Sequence, residues 1–111
     1  MVSAPERGDL IWLSFTPQQG KEQAGRRPAL VLSPATYNNK TGLALVCPIT
    51  SKAKGYPFEV PLPERGAVHG VVLADQVRSL DWRARQAERI EKAQASVVEQ
   101  AIKLIGALLT S

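Results

Sequence analysis

The order of hydrophobic and polar positions along the chain predicts a mainly β domain that ends in one helix. Short apolar runs separated by Gly, Pro and polar turns are typical of strands. We expect strands at 10–15, 29–32, 43–49, 58–60, 71–74 and 77–80, and a short helical turn at 35–38. From Ala95 to Leu109 the apolar residues recur at helical spacing, which predicts an amphipathic helix. Residues 83–90 fit either a strand or a helix.

Length and composition restrict this pattern to one small domain. The chain has 111 residues, of which 44% are hydrophobic, so it can bury one core but has too few residues for a second domain. We therefore interpret residues 1–111 as a single domain of the α+β class, mainly β. We expect both tryptophans, Trp12 and Trp82, to lie in its core. A domain of this size buries a modest share of its surface, which favours oligomerisation.

The sequence shows no sign of export, of a membrane span or of a metal centre. No apolar run is long enough to cross a bilayer, and the first seven residues lack the apolar part of a signal peptide. Cys47 is the single cysteine and His69 the single histidine, so we expect no disulfide, no metal and no other cofactor. These features predict a protein of the reducing cytoplasm. His69 lies beside turn residues, and we expect a loop position for it.

The positive charge of the chain is concentrated in one segment. The formal net charge is +4, and residues 21–54 contain six Lys or Arg residues against one Glu, a net of +5. The rest of the chain therefore carries a small negative charge. A basic patch of this kind is typical of a protein that binds a polyanion such as a nucleic acid.

The most informative motif, residues 22–28, lies within this basic segment and directly precedes a predicted buried strand. It combines a carboxylate, Glu22, with a flexible Gly25 and two guanidinium groups, Arg26 and Arg27. A guanidinium stays charged and its donors match phosphate oxygens, and a carboxylate nearby can accept a proton. A solvated loop with a surface ion pair is an equally good interpretation of this segment alone.

Two further segments place polar side chains where apolar strands end or bend. In the first, Thr50–Ser51 closes an apolar strand and is followed by two lysines, Lys52 and Lys54. In the second, Asp75–Gln76 interrupts an apolar pattern, where polar side chains are costly unless they are paired or used. Both segments also fit ordinary structural roles, a strand-to-turn transition and a capped bend.

Together these segments resemble the MazF/PemK/Kid family of toxin endoribonucleases, and the resemblance covers nearly the whole chain. It is carried by the order and spacing of RGDLIW at 7–12, EQAGRRP at 22–28, SPATYN at 33–38, CPIT at 47–50, KGYPFEV at 54–60, ADQV at 74–77 and SLDWRAR at 79–85. The chromosomal MazF branch is the most similar. The resemblance implies a small SH3-like β-barrel with a C-terminal helix, a homodimer, and a MazE-like antitoxin partner whose tail is acidic and disordered.

The resemblance also implies sequence-specific, metal-independent cleavage of single-stranded RNA, mostly mRNA, which leaves a 2′,3′-cyclic phosphate and a 5′-hydroxyl. The residues that match the family's catalytic positions are Arg27 and Thr50, with Glu22 in support. We expect RNA contacts from the polar and basic residues around these segments, namely Lys21, Gln23, Arg26, Ser51, Lys52, Lys54, Asp75, Gln76 and Arg83. The general base and acid, the antitoxin and the cleavage motif stay open, although likeness to the chromosomal branch suggests an ACA-containing site.

Two positions depart from the family pattern, and two other hypotheses stay open. Some relatives carry His where this chain has Lys21, and plasmid members carry Arg where it has Leu73, so an acid/base pair built on Asp75 is not carried over. One alternative is a non-enzymatic gyrase poison of the CcdB type, which works through a Trp-Gly-Ile tail that is not found here. The other is a passive RNA-binding module, for which 5% aromatic residues supply few stacking surfaces.

Overall fold

The computed structural model describes residues 3–16, 20 and 25–111, and these form seven strands, two helices and one 3₁₀ turn. The strands are β1 (Asp9–Ser14), β2 (Arg26–Val31), β3 (Leu43–Thr50), β4 (Glu59–Pro61), β5 (Val71–Leu73), β6 (Arg78–Asp81) and β7 (Glu88–Lys92). The helices are α1 (Ala35–Thr41) and α2 (Ala95–Thr110), and the 3₁₀ turn, Ala74–Gln76, joins β5 to β6. The predicted mainly β class and the C-terminal helix are confirmed.

The strands form one antiparallel sheet that is organised around β3. The sheet order is β4-β5-β3-β2-β1-β7, and β6 pairs with the first half of β3 while β5 pairs with its last two residues. The 3₁₀ turn lets the chain pass from the β5 pairing to the β6 pairing, as the predicted bend at Asp75–Gln76 requires. The hydrogen-bonded path ends at β4 and β7, so the predicted SH3-like barrel is open rather than closed.

Each face of the sheet buries its own hydrophobic cluster. Side chains alternate along a strand, so neighbouring residues of β1, β2 and β3 contribute to different clusters. One cluster contains Ile11, Leu13, Ala29, Val31, Ala44, Val46, Leu80 and Trp82. The other contains Leu10, Leu30, Cys47, Ile49 and Val72, and α2 covers it with Val97 and Ala101. The helix therefore stabilises one face of the sheet.

The two tryptophans have different environments, so the prediction that both lie in the core is wrong for Trp12. Trp82 is 1% exposed, and its indole N–H donates to the carbonyl oxygen of Asn38 at 2.9 Å. Trp12 is 41% exposed. Because Ile11 and Leu13 fill the inward positions of β1, strand alternation directs Trp12 to the opposite side, where α2 does not bury it.

An ion-pair cluster joins β1 to β7, the strand formed by the end of the ambiguous segment 83–90. Asp9, whose side chain is 2% exposed, contacts Arg89 Nη2 and Lys92 Nζ, each at 2.9 Å. The backbone N–H of Glu6 donates to the same carboxylate at 2.9 Å. Burial opposes ionisation of Asp9, but these three donors outweigh it and hold its pKa below the ordinary value. In the described part of the chain, neither helix has the length and hydropathy needed to cross a membrane.

Candidate functional site

Arg27 and Thr50, the two predicted catalytic residues, lie on the neighbouring strands β2 and β3. The paired register of β2 and β3 ends with Ala29 opposite Pro48, so Arg27 and Thr50 each lie two residues beyond that last pair, at neighbouring strand ends. Strand pairing therefore brings together two residues that are far apart in the chain, and we call them the Arg27–Thr50 pair.

The hydroxyl group of Thr50 is oriented by the chain that follows it. Thr50 ends β3 and is 7% exposed, and its Oγ1 accepts the backbone N–H of Lys52 at 3.1 Å. A hydroxyl has one proton to donate and two lone pairs to accept with. Because the Lys52 amide uses a lone pair, the hydroxyl proton can be donated to a bound anion.

A basic, exposed loop, residues 51–58, leaves the site and leads to β4, and we call it the β3–β4 loop. It carries three of the predicted RNA-binding residues, Ser51, Lys52 and Lys54, and all three are exposed. The loop is nevertheless held in place, because the Glu59 carboxylate accepts the backbone N–H groups of Lys54 and Gly55, each at 3.0 Å. The structure thus holds in place the backbone that carries these lysines, on the loop that begins directly after Thr50.

The β1–β2 loop covers residues 15–25, of which residues 15, 16, 20 and 25 are described. Lys21, Glu22 and Gln23, predicted as site residues, lie outside the described residues of this loop. The two ends of the loop are hydrogen-bonded to each other, because the Phe15 N–H donates to the Gly25 carbonyl oxygen at 2.8 Å. The guanidinium group of Arg85 donates to the Thr16 carbonyl oxygen at 2.7 Å. Both ends of the loop are therefore fixed next to the start of β2.

Arg26, although it is adjacent to Arg27, projects to the other side of the sheet. Its Nη2 donates to Glu88 Oε1 at 2.8 Å, and the side chain of Glu88 is 69% exposed. The surface ion pair considered for this segment is therefore present, with a partner on β7. Exposed pairs of this kind contribute little to stability. Strand alternation thus directs the side chains of Arg26 and Arg27 to opposite faces of the sheet.

Three other predicted RNA contacts lie along β3 and away from Thr50. Asp75 and Gln76 lie in the 3₁₀ turn, opposite the middle of β3 and against α2. Arg83 follows β6, and β6 pairs with the start of β3, so Arg83 lies past the strand end opposite to Thr50. Its guanidinium carbon is 4.8 Å from the centre of the Trp82 ring. The contact of these three residues with RNA stays a prediction.

The single cysteine, Cys47, and the single histidine, His69, show no sign of a nucleophilic or metal-binding role. Burial, with a smaller contribution from Asp75, raises the pKa of the Cys47 thiol to about 12, so the thiolate is not formed at neutral pH. His69 is exposed and lies in the loop before β5, as predicted. Among the described residues, no group of three or more His, Cys, Asp or Glu side chains is placed to hold a metal ion.

Three residues near the site were not among the predicted site residues, although the sequence also predicted that the loop 51–56, which includes Tyr56, contributes to RNA specificity. Glu59 holds the β3–β4 loop, Tyr56 projects from it with 61% of its surface exposed, and Gly70 packs against the Thr50 backbone. The sequence contained a signal for Glu59, since a Glu shortly after a Lys-Gly turn can accept hydrogen bonds from the amides of that turn. The contact of Gly70 involves β3 and the segment before β5, and no local pattern indicates it.

Comparison with known proteins identifies the family of this chain. Residues 6–109 match the family of PemK-like, MazF-like toxins of type II toxin–antitoxin systems. The chain is 52% identical over 109 residues to the endoribonuclease toxin MazF of Escherichia coli strain K12, covering 96% of this chain and 94% of that one. It is similar to crystal structures of MazF (TM-score 0.94, 59% identity) and of a MazE–MazF complex (TM-score 0.88, 60% identity) from Deinococcus radiodurans, each covering 97% of this chain and 98% of the other. The chain is therefore a member of the PemK-like, MazF-like toxin family of type II toxin–antitoxin systems.

Proposed function

We propose that this protein is an endoribonuclease that cleaves single-stranded RNA, mainly mRNA, at a short sequence motif and so inhibits translation and growth. The observation that supports this most directly is the Arg27–Thr50 pair, a guanidinium on the strand next to a hydroxyl whose second lone pair and proton are available to a ligand. The exposed lysines of the β3–β4 loop extend this surface along the path of a polyanion. The names of the similar proteins, endoribonuclease toxins, support the same reaction.

The proposed reaction is an attack of the ribose 2′-oxygen on the adjacent phosphorus. The bond from phosphorus to the 5′-oxygen breaks, which leaves a 2′,3′-cyclic phosphate and a 5′-hydroxyl. Arg27 neutralises the charge that develops on the phosphorane, and Thr50 donates its hydroxyl proton to a non-bridging oxygen. Because an Arg guanidinium has a pKa above ~12, it stays protonated and suits this electrostatic role.

The proton transfers require two further groups. A base takes the proton of the 2′-hydroxyl and an acid supplies one to the leaving 5′-oxygen. Glu22 is the one acidic residue of the basic segment 21–54 and is our candidate for the base, or for a contact with an RNA base. No metal is needed in this scheme, since Arg27 and Thr50 supply the charge stabilisation that a metal ion gives in other nucleases.

The proposed partners follow from charge and from exposed apolar surface. A MazE-like antitoxin with an acidic, disordered tail would bind the same basic groove as RNA, and MazE–MazF complexes are known among the similar structures. A homodimer would cover apolar residues of α2 that the single chain leaves exposed, namely Ile102, Leu108 and Leu109. We place the site of action in the cytoplasm, because mRNA is translated there.

The test is incubation of the purified protein with a long RNA in EDTA, followed by mapping of the new 5′ ends. We expect cuts at a recurring short motif, with 5′ ends that a kinase labels without prior phosphatase treatment. The Arg27→Ala variant, purified in the same way, controls for contaminating ribonuclease. Absence of cleavage would favour the gyrase-poison or passive-binding hypothesis, and activity lost in EDTA and restored by magnesium would overturn metal independence.

A further inference from the structure

The β3–β4 loop presents an aromatic ring to solvent from a fixed backbone. Of the six aromatic side chains, all of which are described, Tyr56 is the most exposed at 61%, compared with 41% for Trp12 and 40% for Tyr37. Exposure of a ring to water is unfavourable by the hydrophobic effect. The position of Tyr56, on the loop that begins at Thr50, suggests a ligand that covers the ring.

The backbone around Tyr56 is held by one side chain. The Glu59 carboxylate accepts the amides of Lys54 and Gly55, and the Glu59 N–H in turn donates to the Tyr56 carbonyl oxygen at 3.2 Å. The next residue back, Phe58, accepts the Ala74 N–H at 3.0 Å and ties the loop to the sheet. Gly55 has a φ of +78°, which allows the tight turn that these bonds close. The loop tip is thus ordered before any ligand binds.

The charge next to the ring completes the arrangement. The ammonium group of Lys54 lies 6.0 Å from the centre of the Tyr56 ring, on the loop that continues from the Arg27–Thr50 pair. A ring with a cation over one face matches a nucleotide, since a base can stack on the other face while the ammonium group contacts a phosphate. Neither an apolar peptide nor a metal ion would interact favourably with both the Tyr56 ring and the Lys54 ammonium group.

We propose that Tyr56 is a stacking platform for one RNA base next to the cleaved bond, and that Glu59 is the positioning residue that holds this platform. The inference rests on the proposed endoribonuclease function and specifies how the substrate is held. In this arrangement Tyr56 contributes to substrate binding and to the choice of base, and it takes no part in the chemical step. Specificity at one position of the cleavage motif then depends on a ring whose backbone is ordered in advance.

The first experiment uses a short RNA made uncleavable by a single 2′-deoxy substitution, and a series in which each nucleotide in turn is abasic. We expect Tyr56→Ala to weaken binding of the intact RNA by about 10- to 100-fold, the range for loss of one base–aromatic stack, and Tyr56→Phe to bind as wild type does. In the wild type, one abasic position should cause a loss of the same size. In Tyr56→Ala that abasic position should cause no further loss, because the ring and the base form one interaction.

The second experiment tests Glu59 by measuring whether its replacement changes KM or kcat. We expect Glu59→Ala to raise KM about tenfold with kcat nearly unchanged, and to speed hydrogen exchange at the Lys54 and Gly55 amides. Glu59→Gln keeps one amide-accepting oxygen and should restore part of the affinity. Tyr37→Ala, which removes a ring of lower exposure from α1, is the matched control and should bind RNA as wild type does.

The outcomes separate this inference from the proposed function. If the wild-type protein neither binds nor cuts RNA, the proposed function fails. If the wild type cuts RNA and Tyr56→Ala binds RNA with unchanged affinity, the stacking platform is refuted and the endoribonuclease function stands. The same conclusion follows if every abasic position lowers the RNA affinity of Tyr56→Ala by an equal further factor. If Glu59→Ala lowers kcat and leaves KM unchanged, Glu59 does not act through substrate positioning.

Discussion

The backbone of Gly70 lies directly against the carbonyl group of Thr50. Gly70 has a φ of +113°, which L side chains rarely adopt, and a β-carbon there would overlap the Thr50 carbonyl oxygen and approach the Ser51 Cα to 2.9 Å. Val71, the next residue, is opposite Thr50 in the β3–β5 pairing. The segment before β5 therefore sets the position of the backbone that carries the proposed phosphate-binding hydroxyl.

Replacement of Gly70 should affect both stability and cleavage. We expect Gly70→Ala to lower the free energy of unfolding by ~1–3 kcal/mol through backbone strain, and to lower kcat by displacing Thr50. Gly42→Ala is the matched control, because Gly42 also has a positive φ, +76°, but has open space around it. Urea denaturation and single-turnover cleavage measure the two effects, and a Gly70→Ala variant with the kcat of the wild type would contradict the proposed link.

The two neighbouring arginines should differ in their effect on catalysis. Arg27→Ala should lower the rate of RNA cleavage by at least ~10²–10³-fold, and Arg27→Lys should recover little because Lys lacks the planar fork of donors. Arg26→Ala should cost less than about tenfold, since Arg26 is paired with Glu88 on the other side of the sheet. Single-turnover rates with circular dichroism as a folding control decide this, and a near wild-type rate for Arg27→Ala would place the site elsewhere.

The hydroxyl of Thr50 is the second determinant of the rate. Thr50→Ala removes both the proposed donor to phosphate and the acceptor of the Lys52 N–H, and we expect it to lower kcat by ~10²-fold or more. Thr50→Ser keeps the hydroxyl and should retain most of the activity. The comparison of kcat for the two variants tests the role of the hydroxyl, and equal losses would show that the methyl group or the packing matters instead.

The buried carboxylate of Asp9 should make stability depend on pH in the acidic range. Its pKa is lowered in the folded state, so its contribution is complete above the ordinary value of 3.8 and is lost as the pH falls through the lower folded-state pKa. We expect Asp9→Asn to be ~1–3 kcal/mol less stable than the wild type at pH 7, with a smaller difference near pH 3.

Urea denaturation at the two pH values measures this difference. Glu88→Gln, which removes one partner of an exposed ion pair, is the control and should change stability by less than ~1 kcal/mol. The same cluster raises the pKa of Lys92, chiefly through its hydrogen bond to Asp9, so its contribution is present at neutral pH and is lost at strongly alkaline pH. An Asp9→Asn variant whose deficit is independent of pH would show that the carboxylate is not the stabilising group.

RNA and the antitoxin should compete for one basic surface. The net charge of +5 in residues 21–54 attracts both polyanions, so we expect a short uncleavable RNA to displace an acidic antitoxin tail, with association rates that fall as salt rises. A competition titration measures this, and sedimentation of the toxin alone should show a dimer. Simultaneous binding of RNA and tail, or a stable monomer, would contradict a shared groove on a two-fold dimer.

The sequence alone was sufficient for the elements and for the family. Apolar runs bounded by Gly and Pro predicted β1 to β6, helical spacing predicted α2, and the order of seven short motifs indicated the toxin family that the comparisons confirm. These features are local, because alternation and helical periodicity depend on residues close in the chain. The motifs also singled out Arg27 and Thr50 as candidates.

Only the tertiary structure decided which side chains meet. The pairing of β2 with β3 placed Arg27 and Thr50 on neighbouring strands, and strand alternation directed the adjacent Arg26 to Glu88 instead. The same alternation exposed Trp12 and buried Trp82, although both are large and apolar. Such outcomes depend on strand pairing between residues distant in sequence. A shift of the strand register by one residue would turn every side chain of that strand to the other face of the sheet. No local pattern contains that information.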